Sequence, residues 1–576
     1  MNQFHTRAVA ASRIRLRLLL LAFWFAGVAR LVGALLELPS FEPDPAQVAY
    51  LQRAVTLLSS GTPNYKPTFR LLFYGNSHVI VPWWRQLVSD LQTSYPNVDF
   101  VITNKALVAF DSARLMHTAA ADIGPWQPDL VIATSYGSWD EPELGGKNDF
   151  IPLFRRLRAL STSDVLFFPP HIIYSQEAAE PSAPIEDPDL NPWYPDQDPF
   201  FTKWYVSMPR WANASGHCWA NFRTPWKEYL NMHHVPTTDL LQPDQWHVNE
   251  DGGELMRIFL RAFLVARDFP KSMDPWNNDR IRTATIGSHI HWDGNALDLR
   301  FVGNRVDVIY DSAPPAAAPT FSCTINGKDP KDVPELYGFD RATSSYGVFY
   351  PMPGVLEVLS DAPLLEETWK LHIDRIDSST SEVDYTLTGS KTGFDGTGTT
   401  LGTFVSNSKR VRLERDSVTA WWAYSVAQKA PSQDFNVEWN AVRRSVSTFK
   451  PRAAPEVGRE SVETLFLGTA DSVEHQLRIQ PLAGTAQGIR AIRVYSPAGA
   501  AKVSGTGRTP LLILLSGGSV ILSWPVPSGR GTIESATPAS AIENWTTIAE
   551  IAVQVGDRFQ VTVPVKSVPV VYRWRN

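Results

Sequence analysis

The sequence has little cysteine, no excess of positive charge and no second long apolar run. Cys218 and Cys323 are the only cysteines in 576 residues, which excludes a disulfide-stapled scaffold and a cysteine-based zinc ribbon. The 53 lysines and arginines are outnumbered by 59 acidic residues, giving a net charge of −6, so nucleic acid is not an expected partner. Beyond the amino terminus, no apolar stretch is long enough to cross a bilayer.

What the chain does have is length and aromatic rings. At roughly 100–200 residues per domain, its length predicts three or four domains. Apolar residues make up 44% and charged residues 19%, which indicates folded, globular domains rather than disorder. The 20 tryptophans and 44 prolines are typical of strand-rich chains with aromatic binding faces, and such faces suit sugar ligands.

Residues 1–38 have the layout of a secretory signal peptide. Residues 1–36 hold five arginines and no acidic residue, and the apolar stretch 18–26 precedes small residues at a candidate cleavage point. A second interpretation extends the apolar stretch to Leu36 as an uncleaved membrane anchor, although Arg30 would then lie inside it. A third is an ordinary buried helix. Export to the periplasm, the cell surface or the medium is the favoured prediction.

Residues 60–270 alternate short apolar strands with amphipathic helices. The predicted strands cover 70–75, 98–103, 129–133 and 164–168, and the predicted helices cover 83–94, 112–121 and 254–265. This alternation predicts an α/β domain, a parallel sheet covered by helices. In such domains ligands bind at the carboxyl ends of the strands, so the residues after each strand are the first candidates for chemistry.

From residue 276 onward the pattern changes to alternating strands separated by Gly, Asn and Asp turns. Asn326-Gly327 is a strong hairpin signal, and the whole region predicts antiparallel sandwiches. A glycine-rich stretch at 498–510 marks a further boundary. The predicted units are a sandwich over 276–380, a second β-rich domain over 381–498 and a small sandwich over 508–576.

Two polar motifs lie where an α/β domain places its chemistry. Ser77 follows the first strand and precedes a helix, near whose positive end an oxyanion is stabilised. Asp244 and His247 are three residues apart before the last helix, so the carboxylate can orient the imidazole while its other nitrogen faces a serine. The alternative is that Ser77 and Asp244 are turn or capping residues and His247 is a surface histidine.

The order and placement of these motifs resemble the SGNH (GDSL-type) hydrolase family. Gly75-Asn76-Ser77 stands where that family has Gly-Asp-Ser, and Asp244-x-x-His247 resembles its fifth block, while residues 104–112 and 129–137 resemble its second and third. The resemblance implies a three-layer, flavodoxin-like fold with Ser77 as nucleophile, His247 as general base and Asp244 as its orienting partner. It also implies that no cofactor is needed.

The resemblance further implies an oxyanion hole made by the backbone N–H groups of Ser77 and Ala109. Ala109 stands where the family has glycine, and Trp139 stands where it often has an asparagine that donates to the oxyanion. We expect Ser135, Ser138 or the Trp139 indole to replace that donor, or activity to be low. The chain is also similar to a bacterial subgroup of SGNH proteins with β-rich carboxyl-terminal domains, in which the tail resembles jelly-roll and fibronectin type III-like modules.

Further candidates surround this motif set. The residues predicted to contact substrate are Asn76, His78, Trp83, Trp139, His171 and Trp193. Segment 174–208 is irregular and rich in aromatic residues, which favours a lid or cleft wall, or else an insertion packed onto the domain. No metal site is expected, because the remaining histidines lack companion ligands at metal-binding spacing.

These observations favour an exported serine ester hydrolase that removes acyl groups, acetyl above all, from a polysaccharide or glycoconjugate. One alternative is a membrane-anchored polysaccharide O-acyltransferase that uses the same triad with a sugar hydroxyl in place of water. Another is a catalytically idle carbohydrate-binding or adhesion protein, favoured by the altered third block.

Overall fold

The computed structural model describes most of the chain from residue 37 onward. The described residues are 37–108, 110–135, 147–172, 208–265, 273–344, 354–377, 379–380, 382–419, 435–468, 473–497, 512–516, 519–525, 532–536, 546–548, 550, 552–555, 558–564 and 571–575. The predicted signal peptide or anchor therefore lies almost wholly outside the described residues. Among the described helices, none is both long enough and apolar enough to span a membrane.

A parallel sheet forms the centre of the amino-terminal region. Its described strands are β1 (Thr68–Gly75), β2 (Asp99–Asn104), β3 (Leu130–Thr134), β4 (Asp164–Phe167) and β5 (Cys218–Trp219). They lie in the order β2-β1-β3-β4-β5, which is the flavodoxin-like order of doubly wound α/β proteins. The predicted α/β class is confirmed, and β5 is a strand that the sequence analysis did not predict.

Helices cover both faces of this sheet. They are α1 (Pro45–Val48), α2 (Gln52–Ser59), α3 (Ser77–Ile80), α4 (Trp83–Ser94), α5 (Ser112–Asp122), α6 (Lys147–Leu160), α7 (Met208–Ala214), α8 (Arg223–His233) and α9 (Glu250–Ala262), with 3₁₀ helices at Ala49–Leu51 and Thr237–Leu240. The predictions for α4 and α5 are confirmed almost to the residue. Helix α9 begins four residues earlier than predicted because the Asn249 side chain caps it, accepting from Gly252 N at 3.0 Å.

Side chains alternate between two apolar cores along the central strand. Leu71 and Phe73 of β1 lie in a core shared with α1, α2, α4, α8 and α9. Leu72 and Tyr74 lie in a second core shared with α5, α6 and α7. Because successive residues of a strand point to opposite faces, this alternation produces the three layers. It leaves the carboxyl ends of the strands together at one edge of the domain.

The chain beyond residue 276 consists mainly of antiparallel strands, as predicted. In chain order they are β6 (Ile281–Thr285), β7 (Leu297–Val302), β8 (Arg305–Tyr310), β9 (Phe321–Ile325), β10 (Tyr337–Phe339), β11 (Thr343–Ser344), β12 (Glu367–Asp377), β13 (Glu382–Gly389), β14 (Gly393–Thr399), β15 (Phe404–Val405), β16 (Arg412–Leu413), β17 (Phe435–Arg443), β18 (Thr448–Phe449), β19 (Val462–Leu467), β20 (Glu474–Pro481) and β21 (Ile489–Tyr495). Short 3₁₀ helices lie at Pro330–Asp332, Pro334–Leu336 and Arg415–Ser417.

Strands from two separate chain segments build one sandwich. One of its sheets has the order β18-β9-β20-β7 and the other β19-β8-β21-β6. Side chains from both sheets, such as Phe321 and Ile492, share one core. Strand β7 pairs with β20, so residues 297–302 join residues 474–481 although more than a hundred residues separate them.

The segment between β9 and β18 forms its own sheet, in the order β10-β17-β12-β13-β14 with β11 also on β17, and β15 pairs with β16. This arrangement differs from the predicted division at residue 380, because β12 pairs with β13 across that position. The alternation of side chains predicts the strands, whereas the pairing of strands distant in the chain depends on the fold. The names jelly-roll and fibronectin type III remain predictions.

The carboxyl-terminal unit has two antiparallel sheets. Its strands are β22 (Leu512–Ser516), β23 (Ser519–Pro525), β24 (Thr532–Ala536), β25 (Thr546–Thr547), β26 (Val553–Val555), β27 (Arg558–Pro564) and β28 (Val571–Arg575). The orders are β22-β23-β27-β26 and β25-β24-β28, around a core that includes Leu522 and Trp524.

Both the sandwich and its inserted sheet contact the α/β region. Asn304, just before β8, donates through Nδ2 to Leu160 O at 3.0 Å. Arg341, between β10 and β11, donates through Nε to Asp122 Oδ1 at 2.7 Å. Cys218 and Cys323 lie in different units, where both are buried as free thiols.

Candidate active site

The turn after β1 holds Ser77 at the first position of α3. Gly75 has φ +142°, and a Cβ at this position would lie 2.3 Å from Thr134 O on β3, so only glycine allows the close approach. The Asn76 side chain then caps α3 by accepting from His78 N at 3.1 Å. Ser77 is 9% exposed. The predicted nucleophile therefore lies at the carboxyl edge of the sheet. Its turn is held by the close approach of Gly75 to Thr134 on one side and by the Asn76 cap on the other.

The loop that carries Asp244 and His247 is closed by its own backbone. Gln242 N donates to His247 O at 2.7 Å, and its side-chain Nε2 donates to Val248 O at 2.9 Å. Gln245 takes a left-handed conformation with φ +57°, which lets the chain reverse between the two catalytic candidates. The loop thus has a fixed shape before any substrate binds.

Asp244 contacts His247 in the way the spacing predicts. Its Oδ2 lies 2.6 Å from His247 Nδ1, and its Oδ1 accepts from the backbone N–H groups of Trp246 at 2.9 Å and His247 at 3.0 Å. Burial acts to raise the pKa of Asp244, but the hydrogen bonds from the His247 side chain and from these N–H groups outweigh it and lower that pKa. An ionised carboxylate here fixes the imidazole and stabilises its protonated form.

The other nitrogen of His247 is left available. Nε2 is buried and has no hydrogen-bond partner among the described residues. The His247 ring lies 5.7 Å, between centroids, from the ring of His78, the residue that follows Ser77. The structure therefore brings the Asp244–His247 pair beside the turn that holds Ser77.

Helix packing explains why these two segments meet. The Ser77 turn leads into α4, and the Asp244–His247 loop leads into α9. A Cβ on Gly253 of α9 would lie 3.2 Å from the Cβ of Trp83 on α4, so the two helix starts are in close contact. A Cβ on Gly252 would lie 2.3 Å from Leu240 O, which fixes α9 against the chain entering the loop.

His78 and His171 form a buried ring cluster behind the site. Their rings lie 4.8 Å apart with an edge-to-face arrangement, and Trp246 stacks on His78 at 6.3 Å. Burial, followed by the Arg223 charge, lowers the pKa of His171 to about 3. Burial and the two neighbouring histidines lower the pKa of His78 well below its ordinary value. Both rings are therefore neutral at neutral pH.

Four of the six residues predicted to contact substrate are described, and all four are buried. His78, His171 and Asn76 are completely buried, and Trp83 is 2% exposed and donates through Nε1 to His78 O at 2.7 Å. His171 in particular was expected at the rim, but the end of β4 turns its side chain inward toward Trp226, 5.6 Å away between ring centroids. All four side chains are buried in the described structure, and their predicted contact with substrate stays a prediction.

Other predicted residues fall outside the description. Ala109, Trp139 and Trp193 lie outside the described residues, as does Ser138. Ser135 is described and is completely buried at the end of β3. The oxyanion hole and the aromatic cleft wall over 174–208 therefore stay predictions.

Trp246 is a site residue that the sequence analysis missed. It lies between Asp244 and His247, and its ring covers His78. The available signal was its position inside the Asp-x-x-His block, between the two candidate residues Asp244 and His247.

Comparison with known proteins gives a likeness to esterases. No protein-family model matches the chain, and no curated protein matches it in sequence. The chain is similar to a two-domain esterase active on acetylated mannans, with 10% identity over 79% of this chain and 96% of that one and a TM-score of 0.27. It is also similar to an acetylxylan esterase from Geobacillus stearothermophilus, with 16% identity over 35% of this chain and 97% of that one and a TM-score of 0.27.

Within the described residues, no group of three or more His, Cys, Asp or Glu side chains is placed to hold a metal ion.

Proposed function

We propose that the chain is an exported serine ester hydrolase that deacylates a polysaccharide or glycoconjugate, acetyl being the expected acyl group. One observation carries the proposal. The Asp244–His247 pair, joined at 2.6 Å, holds a buried and unpartnered Nε2 beside the turn of Ser77. That arrangement is what a serine nucleophile requires from its general base.

The reaction follows from these positions. Ser77 Oγ attacks the ester carbonyl while His247 Nε2 takes its proton, and Asp244 stabilises the resulting imidazolium. The backbone N–H groups of Ser77 and residue 109 would donate to the oxyanion. Collapse breaks the ester C–O bond, the sugar oxygen leaves with the proton from His247, and water then hydrolyses the acyl-enzyme by the same steps in reverse roles.

The buried histidines behind the site favour this chemistry. Because His78 and His171 are neutral, no fixed positive charge from them opposes the protonation of His247 during attack. Arg223 donates to Pro170 O and His171 O, so its charge is held against backbone carbonyls. The proposal of export is supported by the signal-peptide pattern of residues 1–38 alone. The proposal of a polysaccharide substrate is supported by the β-rich region after residue 276 and by the high content of aromatic residues.

The test is release of acetate from acetylated mannan and xylan by the full-length protein. Ser77→Ala should abolish release and keep the melting temperature within a few degrees, because the small hydroxyl is the only group removed. Ser322→Ala, on β9 of the sandwich, is the matched control and should be fully active. Equal activity of Ser77→Ala and wild type would eliminate the mechanism. Acetyl transfer to added sugar that exceeds acetate release would show a transferase instead.

A further inference from the structure

A charged cavity lies at the opposite end of the parallel sheet from Ser77. It has a volume of about 540 Å³ and is enclosed between the amino ends of β1 and β3 and the sandwich sheet that contains β8, β19 and β21. Arg70 lies near the start of β1, so about 3.3 Å per strand residue puts the cavity roughly 20–25 Å from Ser77. It is a separate site.

Every described carboxylate that lines the cavity already has an arginine partner. The pairs are Asp129 with Arg53 at 2.6 Å, Asp307 with Arg305 at 2.6 Å and Glu460 with Arg493 at 3.1 Å. Another lining arginine, Arg452, pairs with Glu463 at 3.0 Å. Each acidic side chain that lines the cavity is therefore already paired with an arginine.

Two lining cations remain without a carboxylate partner in the described part of the chain. Arg70 donates through Nη1 to Trp126 O at 2.7 Å and lies over the Trp126 ring, 5.8 Å from its centroid, but forms no ion pair. Lys66 also forms no ion pair there. Burial, and then the nearby Arg305 charge, lowers the pKa of Arg70, and this outweighs the opposite effect of the Asp129 and Asp307 carboxylates. Positive charge at this wall is therefore incompletely compensated.

Two of the three aromatic rings that line the cavity are covered by guanidinium groups, and the third residue, Tyr65, accepts through its hydroxyl from Trp276 Nε1 at 3.2 Å. Arg493 lies 3.9 Å from the centroid of the Trp276 ring, and Arg53 lies 5.3 Å from it. Arg305 lies 4.3 Å from the centroid of Tyr495. A neutral sugar therefore meets only one aromatic ring without a guanidinium over it, that of Tyr65, whereas a negatively charged group meets donors that have no carboxylate partner.

We propose that this cavity binds the oxyanion group of a small ligand, a carboxylate, phosphate or sulfate, held by Arg70 and Lys66. Guanidinium and ammonium donors form charge-assisted hydrogen bonds with such groups. Arg452 is 65% exposed, so solvent and ligand reach the cavity from its side. Because one wall belongs to the α/β domain and the other to the sandwich, the bound anion strengthens their docking.

Titration calorimetry of the full-length protein at low ionic strength tests the proposal. The probes are inorganic phosphate, inorganic sulfate and glucuronate, with glucose as the neutral control. We expect wild type to bind at least one anion and not glucose, and Arg70→Gln to weaken that affinity by about tenfold or more. Tighter binding of glucuronate than of phosphate or sulfate would identify an acidic sugar as the natural source.

Two further variants keep the test decisive. Lys66→Gln should also weaken binding several-fold, which covers the case in which Arg70→Gln fails to fold. Arg478→Gln removes an exposed arginine, paired with Asp298 at 2.6 Å outside the cavity, and should bind as wild type does. The proposal is overturned if wild type binds none of the anions at about 10 mM. It is equally overturned if both cavity variants bind as tightly as wild type.

Discussion

The two ends of the parallel sheet treat buried ionisable groups in opposite ways. At the carboxyl end, burial lowers the pKa values of His78 and His171, and the rings around His247 are neutral. At the amino end, Asp129 is paired with Arg53 at 2.6 Å between α2 and β3. The difference teaches that neutral surroundings leave His247 free to exchange a proton, whereas the Arg53–Asp129 charge pair holds α2 against the start of β3.

The largest expected effect comes from a substitution at the carboxyl end of the parallel sheet. Asp244→Asn keeps the shape of the loop but removes the charge that stabilises protonated His247, so kcat should fall by about 10³–10⁴ with KM little changed. Steady-state kinetics on a small acetyl ester measure this. Glu250→Gln, exposed in the first turn of α9, is the control and should match wild type. Near-normal turnover of Asp244→Asn would remove the orienting role of Asp244.

The next largest effect comes from a substitution at the amino end of the parallel sheet. Arg53→Met leaves the Asp129 carboxylate without its partner in a buried place, where Arg53 is 4% exposed. We expect destabilisation of about 3–5 kcal/mol, measured by thermal or denaturant unfolding. The exposed pair of Arg478 and Asp298 is the comparison, and Arg478→Gln should cost less than about 1 kcal/mol. Equal losses would show that burial does not distinguish these pairs.

A smaller effect sharpens the account of the Ser77 turn. Gly75→Ala would place a methyl group 2.3 Å from Thr134 O, in a backbone conformation that alanine disfavours. The expected cost is about 1–3 kcal/mol of stability, with a loss of activity because the turn must shift. Gly287→Ala provides the control, since Gly287 also has positive φ, +87°, but nothing lies within 4 Å of its would-be Cβ. A loss no greater than in the control would dismiss the close contact as the reason for glycine.

The last effect concerns the dependence of stability on pH, and it is small close to pH 6.5 and grows as the pH falls. The folded-state pKa of His171 is about 3, below the ordinary 6.5, so the unfolded chain binds a proton that the folded chain does not. Its contribution to stability is therefore present above pH 6.5 and is lost as pH falls toward 3, by at most about 1.4 kcal/mol per pH unit. His171→Gln should flatten the fall in melting temperature between pH 6.5 and 4, whereas His234→Gln, at the end of α8, should not. Identical pH profiles for all three proteins would contradict the burial argument.

Local patterns predicted the fold of the α/β domain and the position of the candidate site. Alternating apolar strands and helices, the Ser77 turn and the Asp244-x-x-His247 spacing are all features of neighbouring residues, and each corresponds to a described element. Partners distant in the chain were not predictable in this way. Strand alternation in residues 297–302 shows that one face is buried, but not that the neighbour is residues 474–481.

The sequence pattern also does not predict which single polar residues are buried. His171 follows a strand, as a rim residue would, and only the packing of Trp226 and His78 around it shows that it faces inward. The Arg70 cavity was missed for a related reason. Its walls come from residues in different units, and no sequence window contains both.

The sheet inserted between β9 and β18 delays completion of the sandwich while the chain is being synthesised. The sandwich cannot close until β18 to β21 have been synthesised, and β21 ends at Tyr495, 170 residues after β9 ends at Ile325. At about 5–20 residues per second, this takes on the order of 8–34 s. During that interval β6 to β9 lack the strands that complete their sheets. The newly made α/β domain is complete by then, and the face that later docks on the sandwich is already present. The α/β domain can therefore fold before the sandwich is complete. The sandwich is then completed against an α/β domain that is already folded.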